Sequence, residues 1–193
     1  MPKSELSEKV DALTNKPVSK LDWEVRSAED YAALRAAFRE MPKTPVLMHV
    51  DDVEREDFPD RGRRYDWLLR SEQSGGTIVV HRIVIYPPFH ATEHNHISEG
   101  EFFYVLDGQL EITIGNRTEV GGPGLFAYAP PYATHAFKPH GDKPCSILHW
   151  NMPGGHERLT DAITKLQEEG RLTPEERKKA SENHEFFFHN PRA

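Results

Sequence analysis

The chain has 193 residues, 37% of them hydrophobic and 28% charged, and its 24 Lys and Arg against 31 Asp and Glu give a net charge of −7. That length suits one domain with extra segments, and an acidic balance without a basic stripe argues against nucleic acid or an anionic membrane surface as partner. A single cysteine, Cys145, excludes an internal disulfide framework, and no run approaches the ~18 apolar residues of a membrane span.

The N-terminus, MPKSELSEKV, lacks the apolar core of a signal peptide, so a cytoplasmic location is expected. Residues 1 to about 20 are polar and weakly patterned and read as an arm. Ser27 with Asp30 three residues later resembles a capping signal. Tyr31, Leu34 and Phe38 then share one helical face until Pro42, which predicts an amphipathic helix over about 28–40. PVLMHV (45–50) reads as a short strand and VEREDFPDRGRR (53–64) as a charged loop.

From about residue 64 the texture changes. RYDWLLRSE, TIVVHRIVIYP, EFFYVLDG, QLEITIG, RTEV, LFAYAPP, THAFKP and CSILHWNM are short and rich in β-branched and aromatic residues. Gly, Pro, Asn or Asp separate them. This predicts an all-β sandwich or barrel with closely spaced turns. ITIGNRTEV reads as a hairpin about Gly115-Asn116. Residues 154–185 turn helical, with Leu159, Ile163 and Leu166 as an apolar stripe and Gly170 at a C-cap position. Thr173, Pro174 and Glu176 then form a second helix start. The expected organisation is an N-terminal arm and helix over 1–60, a barrel over 61–153 and a helical segment over 154–193.

Within HATEHNHISEGE (90–101), His94 and His96 are two apart, so in an extended chain both imidazoles face one side. After a short turn, Glu101 starts the apolar strand FFYVL, and a hairpin would return it beside the two histidines. His135, in PPYATHAF, is the expected fourth ligand from another strand. Three imidazoles and a carboxylate suit Fe, Mn, Ni, Cu or Zn better than Ca or Mg.

These residues resemble a known family. His94-x-His96-x4-Glu101-x6-Gly108 is similar to the first motif of the cupins, and Gly124-x5-Pro130 followed by His135 to the second. The two motifs lie sixteen residues apart, counted from Gly108 to Gly124. Tyr132 stands where the second motif usually has Gly, and Pro139 where it has Asn. The resemblance spans about residues 64–152. It implies an all-β, cupin-type double-stranded β-helix (jelly-roll) barrel, here with flanking N- and C-terminal helices.

EFFYVLDGQLEITIG, PPYATHAFKP and PGG before a helix look like the bacterial quercetin 2,3-dioxygenase-like cupins. That resemblance implies one divalent transition metal held by His94, His96, Glu101 and His135. It also implies O2-dependent cleavage of an aromatic or enolisable small molecule, with Glu101 as the base. Other expectations are a non-redox isomerase, cyclase or lyase using Glu101 for proton abstraction, or a small-ligand-binding module, because cupins host many chemistries.

His90, Glu93 and Glu99 are assigned to rim or solvent, and His140, His156, His184 and His189 to solvent. His149 suits the cavity or the core equally, and His81 either face. Phe103, Val105 and Phe137 share inward parity with the ligands, whereas Phe102, Tyr104 and Leu106 face outward and need cover. The FFFH run at 186–189 is expected to dock on the barrel or on a partner chain, and a homodimer is the expected assembly.

Overall fold

Alternation of buried and solvent-facing positions builds two facing sheets. The chain is represented by a computed structural model that describes residues 43–184 and 186–188. The arm at 1–20, the helix at 28–40 and His189 lie outside the described residues. The strands run β1 (Glu54–Phe58), β2 (Arg63–Leu69), β3 (Val79–Ile85), β4 (Ala91–His96), β5 (Gly100–Asp107) and β6 (Leu110–Ile114). They continue with β7 (Arg117–Gly121), β8 (Phe126–Ala129), β9 (His135–Pro139), β10 (Cys145–Met152) and β11 (Phe186–Phe188). The helices are a single turn, α1 (Ser71–Ser74), then α2 (Glu157–Glu168) and α3 (Pro174–Asn183).

One sheet has six strands in the order β1-β2-β3-β10-β5-β8, and the other five in the order β11-β4-β9-β6-β7. The pairings are antiparallel. Every second residue of β3 and β10 is buried, the period expected of a strand with one face on a core. Val79, Ile83, Ile85, Phe103, Val105, Leu110 and Ile147 meet between the sheets. Phe102 points outward, as parity requires, and finds its cover within its own sheet, stacked between Tyr128 and Trp150 with ring centroids at 4.4 and 5.1 Å. Its neighbours Tyr104, Leu106, Phe126 and Tyr128 are exposed.

Two local expectations fail. Residues 45–50 form no strand: 43–49 have no regular structure, and Val50–Asp52 make one 3-10 turn. Leu47 and Met48 are exposed and gain no sheet neighbour. Conversely, the charged stretch 53–64 is no loop, because its first part is β1, zipped onto β2 from Glu54↔Trp67 to Phe58↔Arg63. An edge strand tolerates this composition, since its charges remain hydrated while its backbone pairs on one side. Glu56 accepts a hydrogen bond from Trp67 Nε1 at 3.0 Å, and Glu54 pairs with Arg70 at 2.9 Å.

The helical start at Thr173 is as expected, with Thr173 Oγ1 accepting from the Glu176 amide at 3.2 Å and Pro174 opening α3. The passage from β10 to α2 is tight. A Cβ on Gly154 would lie 2.3 Å from Ser71 Oγ, so only glycine lets the chain pass. Glu157, buried at the start of α2, accepts from Ser71 N at 2.6 Å and Ser71 Oγ at 2.9 Å. These contacts fix α2 across one end of the sandwich.

Two left-handed residues give opposite expectations. Gly108 has φ 75, and a Cβ there would meet the Pro144 carbonyl at 2.3 Å. Tyr132 has φ 67 with a largely exposed side chain. Gly108→Ala is expected to cost at least about 2 kcal/mol. Tyr132→Gly relieves about 1–2 kcal/mol of left-handed strain against about 0.5–1 kcal/mol of added chain entropy, a net gain of up to about 1.5 kcal/mol. Urea midpoints should move in those opposite directions; a lower midpoint for Tyr132→Gly contradicts the strain argument.

Candidate metal centre

The four expected ligands meet between the sheets. His94 and His96 leave β4 on its inner face, and His135, the first residue of β9, lies opposite His94 in register. Glu101, second in β5, is buried and faces them from the other sheet. The expected hairpin is therefore corrected: β4 and β5 do not pair, and residues 97–99 carry the chain from one sheet to the other. Glu101 arrives from across the sandwich rather than from a neighbouring strand.

One ligand atom from each of His94, His96, Glu101 and His135 lies within 4.8 Å of the others. Glu101 Oε2 is 2.6 Å from His135 Nε2, 3.0 Å from His96 Nε2 and 4.0 Å from His94 Nε2. Ligand atoms each about 2.1 Å from a common ion stand about 3–4 Å apart, so the His96 and His94 spacings suit a transition ion, while the 2.6 Å Glu101–His135 pair would open slightly around one. The tautomers agree. His94 Nδ1–H donates to the Thr92 carbonyl at 2.7 Å and His135 Nδ1–H to the Ala133 carbonyl at 2.9 Å. Both Nε2 lone pairs are thereby left for the centre.

The electrostatics follow from burial and crowding. Burial, helped by His135 and His96, holds His94 well below the ordinary imidazole pKa. Burial also lowers His135, but the Glu101 charge and hydrogen bond outweigh it and leave its pKa raised. For Glu101 burial pushes upward, and the neighbouring His135 and His149 more than offset it, keeping the carboxyl well below its usual range. The cluster thus holds an ionised carboxylate amid imidazoles, which is what a divalent ion requires of its ligands.

Behind the ligands lies a second layer, for which the sequence leaves His149 and His81 open and misplaces Glu99 and His156. Glu101 Oε1 accepts from His149 Nε2 at 2.5 Å, and His149 Nδ1 is 2.7 Å from His81 Nε2. Glu101, His149 and His81 thus form one buried chain, with His81 Nδ1 at its end without a partner among the described residues. Strand parity, with Ile147 and Asn151 beside His149, was the available signal for the inward face. Glu99, assigned to rim or solvent, is buried. Its Oε2 lies 3.7 Å from His96 Nδ1 and 3.4 Å from His156 Nδ1, and it accepts from Asn151 Nδ2 at 3.2 Å. His156, assigned to solvent, has a side chain only 10% exposed. No local period marks these two, because both sit in connections whose direction is set by tertiary contacts.

His90 is exposed, and His140 is an exposed partner of Glu111. His184 is half-buried and bonded to the Ala180 carbonyl at 2.7 Å, not solvated as expected. The expected docking of the phenylalanine run appears as β11 on β4, which stacks Phe186 on His94 with centroids at 4.3 Å. A cavity of roughly 790 Å³ opens beside the cluster, with His94, Glu101, His149 and His156 on its wall. Tyr65, Ile83, Phe89, Phe137, Leu159, Ile163 and Phe186 provide apolar surface around them.

Comparison with known proteins bears on the fold. Residues 82–151 match the Cupin_2 family, a cupin domain. No curated protein matches the sequence. Among solved structures, KdgF from Halomonas sp. aligns with a TM-score of 0.52 at 15% identity, over 60% of this chain and 99% of that one. An RmlC-like cupin from Shewanella frigidimarina gives 0.52 at 15% identity over 61% and 99%, respectively. A predicted oxalate decarboxylase from Thermotoga maritima gives 0.51 at 17% identity over 55% and 98%. Such distant likenesses speak for the fold, a jelly roll of the cupin type. Among the described residues no helix is long and apolar enough to cross a membrane.

The layered arrangement predicts graded losses of metal. Alanine at His96 or His135 should remove most bound metal from purified protein while far-UV circular dichroism stays that of a β sandwich. Glu99→Gln, which removes the charge beside His96 and His156, should weaken metal binding about 10-fold in a chelator competition. Unchanged metal content in both histidine variants would displace the site.

Proposed function

We propose that this chain is a metal-dependent dioxygenase of the quercetinase type, cleaving an aromatic or enolisable small molecule with O2. The observation that carries the reading is the position of Glu101. Its carboxylate reaches the three-histidine cluster on one side and the wall of a largely apolar cavity on the other. A divalent transition ion held by His94, His96, Glu101 and His135 supplies Lewis acidity toward a substrate oxygen and, where redox-active, electrons for O2 chemistry.

The chain's own residues do the rest. Phe89 and Phe137, with ring centroids 5.8 Å apart, give an aromatic substrate a flat apolar wall. A substrate hydroxyl brought beside Glu101 gives its proton to the carboxylate. His149 Nε2–H, bonded to Oε1, holds the carboxyl plane. His81 Nε2–H donates to His149 Nδ1 and so fixes that tautomer. Burial lowers the pKa of both histidines and keeps them neutral, as this donor order requires. The apolar wall and the covering residues of α2 exclude water from the developing enolate.

The same Glu101–His149–His81 chain also favours a second reading, proton abstraction without O2, as in an isomerase, cyclase or lyase. One experiment separates the two. Protein loaded anaerobically with Fe(II), Mn(II) or Ni(II) is given flavonol and β-diketone substrates in an oxygen-electrode cell. Stoichiometric O2 uptake with product formation is expected, and equal turnover without O2 would leave the non-redox reading. Glu101→Gln should retain more metal than the histidine variants yet lose turnover about 10²–10⁴-fold; full activity would remove Glu101 from the mechanism.

A further inference from the structure

The wall of the cavity also carries three arginines from three elements. Arg61 ends a 3-10 turn after β1, Arg63 opens β2, and Arg177 lies on α3. All three line the same cavity as His94 and Glu101. Among the described residues, none of the three has a carboxylate within ion-pair distance, although Asp57 and Asp60 also border the cavity. Other arginines of this sheet do pair: Arg55, Arg64 and Arg82 with Asp66, and Arg70 with Glu54.

The unpaired guanidiniums are held in place. Arg61 NH2 donates to Gln167 Oε1 of α2 at 2.9 Å. The guanidinium carbons of Arg61 and Arg63 lie 5.2 and 5.7 Å from the Phe58 ring centroid, and Arg63 lies 5.2 Å from that of Tyr65. Yet Arg61 NH1 and Arg63 Nε are buried without an acceptor. Ionised donors removed from water without a partner are unfavourable, so a site that retains two of them beside a third guanidinium is preformed for an anion. Burial, then the nearby Arg177 and Arg63, push Arg61 down to about 10, as crowding of like charges requires.

We propose that Arg61, Arg63 and Arg177 bind an oxyanion of the substrate, a carboxylate or a phosphate, while its enolisable or aromatic end faces Glu101. The assignment of the two ends rests on the reading of the His94–Glu101 cluster as the reacting end. Guanidinium is suited to the task, since its fixed fork matches either oxyanion and its charge is permanent. A rim of solvated surface arginines would explain the composition but not the buried donors.

The test is isothermal titration of metal-loaded protein with sodium benzoate and, separately, inorganic phosphate, each against sodium chloride at equal ionic strength. Saturable binding of at least one anion is expected. Arg61→Gln and Arg177→Gln, on different elements, should each weaken it at least 10-fold with metal content unchanged. Benzoate alone would assign a carboxylate and phosphate alone a phosphate, while both would leave the shared oxyanion class. His96→Ala, which loses the metal, should retain anion binding; this arm separates the inference from the catalytic reading. The inference is overturned if neither anion saturates, if both arginine variants bind as the parent does, or if His96→Ala abolishes binding and so places the anion on the metal.

Discussion

A carboxylate buried between two sheets is the constraint on which the rest of this site depends. An uncompensated charge in such a place costs several kcal/mol. Glu101 is compensated from both sides: His135 and His96 approach Oε2, and His149 approaches Oε1. The His149 Nε2–H bond to Oε1 contributes about 1.5–3 kcal/mol, and an ion held by the three imidazoles at Oε2 would supply the rest of the compensation. Because the partners sit on β4 and β9 in one sheet and on β10 in the other, the carboxylate ties the two halves of the sandwich together at its mouth. Behind it, His149 is bonded to His81, and Glu99 stands 3.7 Å from His96 Nδ1 as the nearest charge on that side.

The cavity above that centre depends on how the chain leaves the sandwich. Gly154 permits a close pass over Ser71, and Glu157 anchors the first turn of α2 to the same serine. With α2 so placed, His156, Leu159, Thr160 and Ile163 become wall. The chain then returns through α3, and β11 adds to the edge of β4, where Phe186 covers His94 and His96. The C-terminal phenylalanines thus serve two ends. They satisfy a sheet edge that would otherwise stand open, and they give the imidazoles an apolar, water-poor neighbour.

How much of this was legible follows from what each signal measures. Strand parity is a local, period-two property, and it places His94, His96, Glu101, Phe103, Val105 and Phe137 on the inside from sequence alone. Turn chemistry is likewise local and marks the Gly115 hairpin and the Thr173 cap. Sheet membership is not local, so the passage from β4 to β5 looks like a hairpin although the strands belong to opposite sheets. Glu99 and His156 were unreadable for the same reason: each lies in a connection, and only the folded path brings the two to 3.4 Å. β1 escaped because an edge strand rich in Glu, Arg and Asp carries no apolar alternation, its pairing being a matter of backbone. At Tyr132 the local rule favours glycine, but the turn keeps its left-handed geometry with a bulky residue, held by the Tyr132 amide donating to the His96 carbonyl at 2.7 Å.

The division of the cavity between fold and additions bears on specificity. His94, Glu101, His135 and His149 all fall within residues 82–151, the part that matches the cupin domain. Arg61, Arg63, Leu159, Ile163, Arg177 and Phe186, which shape the rest of the wall, fall outside it. A shared barrel can host many reactions, so the fold leaves the choice of substrate open. Under the function proposed above, that choice would fall to the parts outside the matched domain, the strands before it and the helices and strand after it. Selection by those additions has a physical advantage. The buried carboxylate and its imidazoles are held by antiparallel ladders on both sides, whereas groups that would recognise a remote part of the proposed substrate sit on elements outside that ladder.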